Sequence, residues 1–170
     1  MLKKSTAKQI RKMTTYSLSD IFTSTDRHKL YIFGCRQDEQ SEKISFIQAQ
    51  NIPTVNIGKE LASFLDELED YRYLAIEVYD FLIKLLNRKK GKINGLGSEI
   101  VAIYNLGIFL EPRLELNAVQ LLKDFSKSTA LVIIWENQIE QTNLLNWPTQ
   151  KQNYFFNFSD IPLKKMQHAV

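Results

Sequence analysis

Three short segments of this chain are apolar or aromatic at every position, and they restrict its fold more than any other feature. The segments are Leu30–Phe33, Ile100–Tyr104 and Ala130–Trp135. A strand with one solvent-facing side alternates apolar and polar residues, whereas a strand covered on both faces is apolar throughout. Helical segments between the runs imply crossovers and a parallel sheet. We therefore predict an α/β domain with helices on both faces of its sheet.

The other elements follow from spacing and turn residues. Helices are predicted at 41–50, 59–69 and 71–88, with another that begins at Pro112. Further strands are predicted at 51–57 and, as a fifth, edge-like strand, at 153–158, after a polar excursion over 136–147. The fold class is then a three-layer α/β domain with a mostly parallel sheet of about five strands.

Length and composition indicate one ordinary globular domain. The chain has 170 residues, 44% of them apolar, and a net charge of +3 that permits nucleic-acid contact without favouring it. We divide it into a basic arm with a short helix (1–27), the α/β domain (28–163) and a short tail (164–170). The single Cys35 excludes an intrachain disulfide and fits a reducing cytoplasm. No apolar run reaches the roughly 18 residues of a membrane span, so we expect a cytoplasmic protein without membrane contact.

The first apolar strand ends at a glycine where a phosphate-binding loop would begin. In the pattern G-x-x-x-x-G-K-[S/T], Gly34 takes the first position, and the following three key positions are Glu39, Gln40 and Ser41. The second glycine and the lysine are therefore replaced. Asp38 and Glu39 would also lie where a triphosphate belongs, and each like-charge contact at about 4 Å costs roughly 1 kcal/mol in bulk water.

The second half of such a site is altered as well. A working site has an acidic residue at the end of a later apolar strand, which holds magnesium. Here Asn105 follows the strand, Glu99 lies at its opposite end and Glu111 lies in the next loop. We therefore predict a vestigial nucleotide site at Gly34, Gln40, Ser41 and Asn105, with no catalytic residue, no metal site and no cofactor, and with ATP and magnesium binding disfavoured. The residues alone equally allow an α/β domain that never held a nucleotide.

Longer segments carry a family resemblance. Residues 51–61, 105–135 and 151–160 resemble the small P-loop (AAA-like) protein of type 3 BREX phage-defence systems, and the similarity extends over roughly 28–163. The resemblance implies that the three-layer α/β domain is P-loop NTPase-like, with an ATP-binding, AAA-like core. Gly34 and Ser41 match the family's loop, whereas the residues at 39, 40 and 105 depart from it.

These departures lead us to expect a non-catalytic accessory or scaffold protein, a pseudo-ATPase, that binds other proteins of a defence system. The sequence allows both a monomer and an oligomer. One alternative is a regulatory subunit that binds nucleotide weakly. Another is a nucleic-acid-binding module that contacts DNA through the basic arm and a basic turn. The residues proposed for that contact are Lys3, Lys4, Arg11, Lys12, Arg88, Lys89 and Lys90.

Overall fold

A computed structural model describes residues 15–92, 98–137, 139, 143–161 and 163–166. Its strands are β1 (Thr15–Tyr16), β2 (Leu30–Gly34), β3 (Thr54–Asn56), β4 (Gly91–Lys92), β5 (Glu99–Tyr104), β6 (Ala130–Trp135), β7 (Leu144–Pro148), β8 (Asn153–Asn157) and β9 (Lys164–Met166). Its α-helices are α1 (Leu18–Thr23), α2 (Gln40–Ala49), α3 (Ile57–Glu67), α4 (Leu74–Lys89) and α5 (Ala118–Phe125). Short 3-10 turns occupy Gln37–Glu39, Leu106–Leu110 and Pro112–Leu114.

The centre of the fold is a parallel sheet in the order β9-β2-β6-β5-β3. The two-residue strand β1 extends it beyond β9, and β4 pairs antiparallel with β5. Strands β2 and β6 run side by side from Leu30 opposite Leu131 to Gly34 opposite Trp135. All six residues of β6 are buried. The prediction of a mostly parallel sheet covered on both faces is therefore confirmed.

Helices form a layer on each side of the sheet. In β2, Leu30 and Ile32 pack with the layer of α3, α4 and α5, whereas Tyr31 and Phe33 pack with that of α1 and α2. Connections that run toward β3 have their helix on the α1–α2 side, and those that run back use the other side. This is the arrangement that a single crossover hand requires.

The predicted helices are present with small shifts at their ends. The structure places them at Gln40–Ala49, Ile57–Glu67 and Leu74–Lys89. The predicted start of the next helix at Pro112 is wrong. That proline opens a 3-10 turn, and α5 begins only at Ala118. Glu115 has a left-handed backbone (φ 47°), which ends the turn before the helix starts.

The carboxy-terminal third differs most from the prediction. The polar segment 136–147, for which no strand was predicted, contains most of β7. Strand β8 pairs with β7 in a separate two-stranded sheet instead of joining the main sheet. This β7–β8 hairpin packs Leu145 and Phe156 into the α3–α5 side of the core. The position beside β2 belongs to β9, with β1 at the edge beyond it, so the main sheet includes strands outside the predicted 28–163 boundaries.

Strand β9 is held by a buried lysine. Lys164 is only 3% exposed. Its ammonium pairs with Asp26 and lies 5.0 Å from the centre of the Tyr31 ring. A buried charge is tolerated where it is paired, and the cation–π contact adds to that pairing. A short strand with this composition carries no apolar pattern, which is why the sequence does not predict it.

Gly107, in the 3-10 turn that follows β5, lies against Trp147 of the hairpin. A Cβ at this position would lie 2.3 Å from Cζ2 of Trp147. We expect Gly107→Ala to lower the free energy of unfolding by about 1–3 kcal/mol, because the tryptophan ring must move. Urea unfolding followed by tryptophan fluorescence measures the change. The matched control is Gly34→Ala, whose Cβ would meet Cδ1 of Ile139 at an ordinary 3.5 Å. Equal stability of the two variants would contradict the observed packing.

Candidate functional site

A group of polar side chains lies at the carboxyl ends of the central strands. The loop after β2 leads to α2 on one face of the sheet, whereas the segment after β6 leads to the hairpin on the other face. Open α/β sheets bind ligands where adjacent connections diverge in this way. The side chains at this point, which we call the switch-point cluster, are Cys35, Gln40, Asn56, Asn105 and Glu136.

Three amides of the cluster form a hydrogen-bonded chain. The Nε2 of Gln40 donates to Oδ1 of Asn105 at 3.1 Å, and the Nδ2 of Asn105 donates to Oδ1 of Asn56 at 3.1 Å. The same Asn56 oxygen caps α3 by accepting from the backbone N–H of Lys59 at 3.0 Å. The structure thus brings Gln40 and Asn105 into contact, and the two amides satisfy each other where a phosphate site would have a lysine and an acid.

The backbone at Asn105 gives this residue a structural role as well. Its φ of 58° lies in the left-handed region, which asparagine adopts more readily than most residues. A Cβ on Gly58 would lie 3.2 Å from the carbonyl oxygen of Asn105. The glycine therefore allows the first turn of α3 to approach the end of β5 closely.

Residues of the loop between β2 and α2 form hydrogen bonds and ion pairs with one another. The backbone N–H of Arg36 donates to Oε2 of Glu39 at 3.0 Å, and that of Glu39 donates to the Arg36 carbonyl at 3.0 Å. The Arg36 guanidinium pairs with Asp38 at 3.3 Å and with Glu39 at 3.0 Å. These carboxylates lie at the amino end of α2, where an anion is favoured by the helix dipole. The loop itself therefore supplies the negative charge that a phosphate would bring.

Gly34 and Ser41 lie outside the hydrogen-bonded chain. Gly34 does not have a left-handed φ, and the methyl group of Ile139 lies next to the place where its Cβ would be. The backbone therefore does not require a glycine there. Ser41 is exposed on the first turn of α2. The structure thus joins only two of the four residues predicted for a vestigial site.

Burial controls the ionisation of Glu136 and Cys35. Burial raises the pKa of the Glu136 carboxyl, while a hydrogen bond from Gln40 acts in the opposite direction. Burial, followed by the charges of Glu136 and Glu39, raises the pKa of the Cys35 thiol to about 11. This thiol is protonated at neutral pH and is therefore a poor nucleophile. Oε2 of Glu136 is buried without a hydrogen-bond partner in the described part of the chain.

Sequence reasoning missed Glu136 and Asn56. Both follow or end a strand of the parallel sheet, Glu136 directly after β6 and Asn56 as the last residue of β3. Asn105 was identified from the position of the metal-binding acid in a P-loop site. The more general rule that ligand-binding residues follow the carboxyl ends of parallel strands would have found Glu136 and Asn56 as well.

The residues proposed for nucleic-acid contact are divided. Lys3, Lys4, Arg11 and Lys12 lie outside the described residues. At the end of α4, Arg88 and Lys89 are exposed, whereas Lys90 pairs with Glu99 at 2.5 Å. The turn therefore offers less free positive charge than its sequence indicates.

Within the described ranges, no group of three or more His, Cys, Asp or Glu side chains is arranged to hold a metal ion. No helix in the same ranges combines the length and apolar character needed to cross a bilayer. The fold and the switch-point cluster define an α/β domain in which polar side chains at the carboxyl ends of the strands hydrogen-bond to one another. No protein-family model, curated protein or solved structure matches the chain.

The raised pKa of Glu136 predicts a specific pH dependence. Because the folded pKa lies above the unfolded value of about 4.3, stability that depends on protonated Glu136 is present at low pH and is lost as pH rises through the folded pKa. We expect Glu136→Gln to avoid this loss, so its stability relative to wild type rises from pH 4 toward neutrality. Urea unfolding at a series of pH values measures the difference.

The control for this comparison is Glu42→Gln, an exposed position on α2. It should show no comparable trend with pH, because its carboxylate stays in water. A Glu136→Gln protein that becomes progressively less stable than wild type as pH rises would contradict the assignment.

Proposed function

We propose that this protein is a non-catalytic, P-loop-like accessory or scaffold protein that acts through contacts with other proteins. The observation that supports this most is the 3.1 Å hydrogen bond between Gln40 and Asn105. In the P-loop pattern, Gln40 aligns with the phosphate-binding lysine, and Asn105 follows an apolar strand where the metal-binding acid is expected. Both residues here are neutral amides, which supports a role without catalysis.

Three features oppose nucleotide binding. The amides of Gln40 and Asn105 lack the positive and negative charges that hold phosphate and magnesium. Asp38 and Glu39 would repel a triphosphate from the amino end of α2, and their pairs with Arg36 would have to be broken first. The loop between Gly34 and Ser41 contains no glycine that would let phosphate oxygens approach its backbone closely. Together these features favour a binding role over ATP turnover.

The system in which the protein acts is proposed from the resemblance. The similar segments 51–61 and 105–135 comprise β3 with most of α3, and the region from the end of β5 through α5 and β6. They therefore belong to the framework around the switch-point cluster. We propose that the partners are other proteins of a type 3 BREX phage-defence system. Co-purification of the tagged protein with co-expressed components of such a system tests this, and failure of every component to co-purify would contradict it.

Titration with ATP tests the nucleotide part of the proposal. We expect no saturable binding of magnesium-ATP by calorimetry at nucleotide concentrations up to about 1 mM, which corresponds to a binding free energy weaker than about −4 kcal/mol. We expect Gln40→Lys to remain without binding, because Asp38 and Glu39 still occupy the amino end of α2. An intact P-loop ATPase titrated in parallel is the positive control. Magnesium-dependent, saturable binding by the wild-type protein would contradict the proposal.

A further inference from the structure

Strand β8 forms an edge of the β7–β8 hairpin that no other strand covers in the described part of the chain. The hairpin sheet contains only β7 and β8, and the opposite edge is bridged where Ile139 pairs with Leu145. The edge strands of the main sheet are shorter than β8, with two residues in β1 and three in β3. Short edge strands limit pairing with another chain, and the five-residue β8 lacks this protection.

The hydrogen bonds of the hairpin show which backbone groups of β8 face the free edge. The N–H of Phe158 donates to the Asn143 carbonyl at 3.1 Å, and that of Thr149 donates to the Gln152 carbonyl at 3.0 Å. Bonded and non-bonded pairs alternate along an antiparallel ladder, so every second residue from Gln152 to Phe158 bonds toward β7. The residues between them direct their N–H and C=O groups away from β7, and they are Asn153, Phe155 and Asn157.

The side chains of β8 leave this edge open to another strand. The strand reads Asn-Tyr-Phe-Phe-Asn, without a charge or a proline, although lysine and proline are the residues that usually protect a free edge. Phe155 in its middle is 43% exposed. Within the described residues, no group bonds to the outward backbone of β8. An added strand would therefore both pair these backbone groups and cover Phe155.

We infer that a second copy of this chain pairs with β8 across the free edge, antiparallel and about a two-fold axis at Phe155. Phe155 then faces the partner subunit's Phe155, and Asn153 faces the partner subunit's Asn157, with the symmetry repeating the second pair. In this register the outward-facing residues of both copies lie opposite one another. Each such pair can exchange both of its N–H···O=C bonds, so the two hairpins become one continuous sheet.

The order of residues in β8 favours a second copy over an unrelated strand. In either direction the strand has an amide at each end and three aromatic residues between them. Antiparallel pairing thus places rings opposite rings on both faces, and cross-strand aromatic pairs stabilise a sheet. Lys151 precedes the strand and Asp160 follows it. Antiparallel copies bring these opposite charges to the same end of the contact, whereas parallel copies would bring like charges together.

Sedimentation velocity of the full chain over a micromolar concentration series tests the dimer, which we expect for the wild-type chain. Phe155→Lys and Phe155→Glu should each raise the dimer dissociation constant at least about tenfold, which is about 1.4 kcal/mol. The reason is that the two-fold axis sets position 155 against itself, so each variant places like charges directly opposite each other. When the two variants are mixed, a heterodimer should form, because the axis then joins opposite charges.

Restoration by mixing separates loss of the interface from loss of folding, and circular dichroism should show unchanged secondary structure for each variant. Ile76→Lys is the matched control, because it places the same charge at another exposed apolar position, on α4, and it should remain dimeric. A monomeric wild-type chain, single variants at 155 that stay dimeric, or a mixture that fails to associate would each overturn the inference. The inference does not depend on the proposed function, and nucleotide titration does not test it.

Discussion

Pairing between β2 and β6 determines where the chemistry of this domain lies. The two buried strands match residue by residue to Gly34 and Trp135, and the N–H of Cys35 extends the ladder with a 2.9 Å bond to the Trp135 carbonyl. Both strands therefore end at the same level, and the chain then leaves them toward opposite faces of the sheet. The switch-point cluster lies at this divergence, next to the amino end of α2.

The types of residue in the switch-point cluster follow from the cost of burying polar groups. A lysine and an aspartate in these positions would bind phosphate and magnesium, but without a ligand they would form a partly desolvated ion pair, whose attraction often does not repay its desolvation. Gln40 and Asn105 instead form a neutral hydrogen bond that needs no ligand. The loop carboxylates similarly replace an external anion at the amino end of α2.

Much of the framework could be predicted from the sequence, because buried parallel strands and amphipathic helices leave strong periodic patterns. Apolar runs locate β2, β5 and β6, and helical spacing locates α2, α3 and α4. Strand β8 was predicted, but its partner β7, their separate sheet and strand β9 were not. Strand β9 contributes Lys164, whose burial depends on Asp26, a residue far away in the chain. The adjacency of Gln40 and Asn105 follows from strand ends meeting at one edge of the sheet.

A crystal structure of the protein grown with magnesium and a non-hydrolysable ATP analogue tests the central claim most directly. The account predicts that the analogue is absent from the switch-point cluster, that Gln40 still donates to Asn105 and that Arg36 still pairs with Asp38 and Glu39. Phosphate density against the backbone of residues 35–40, with the Gln40–Asn105 bond broken and the Arg36 pairs opened, would contradict it.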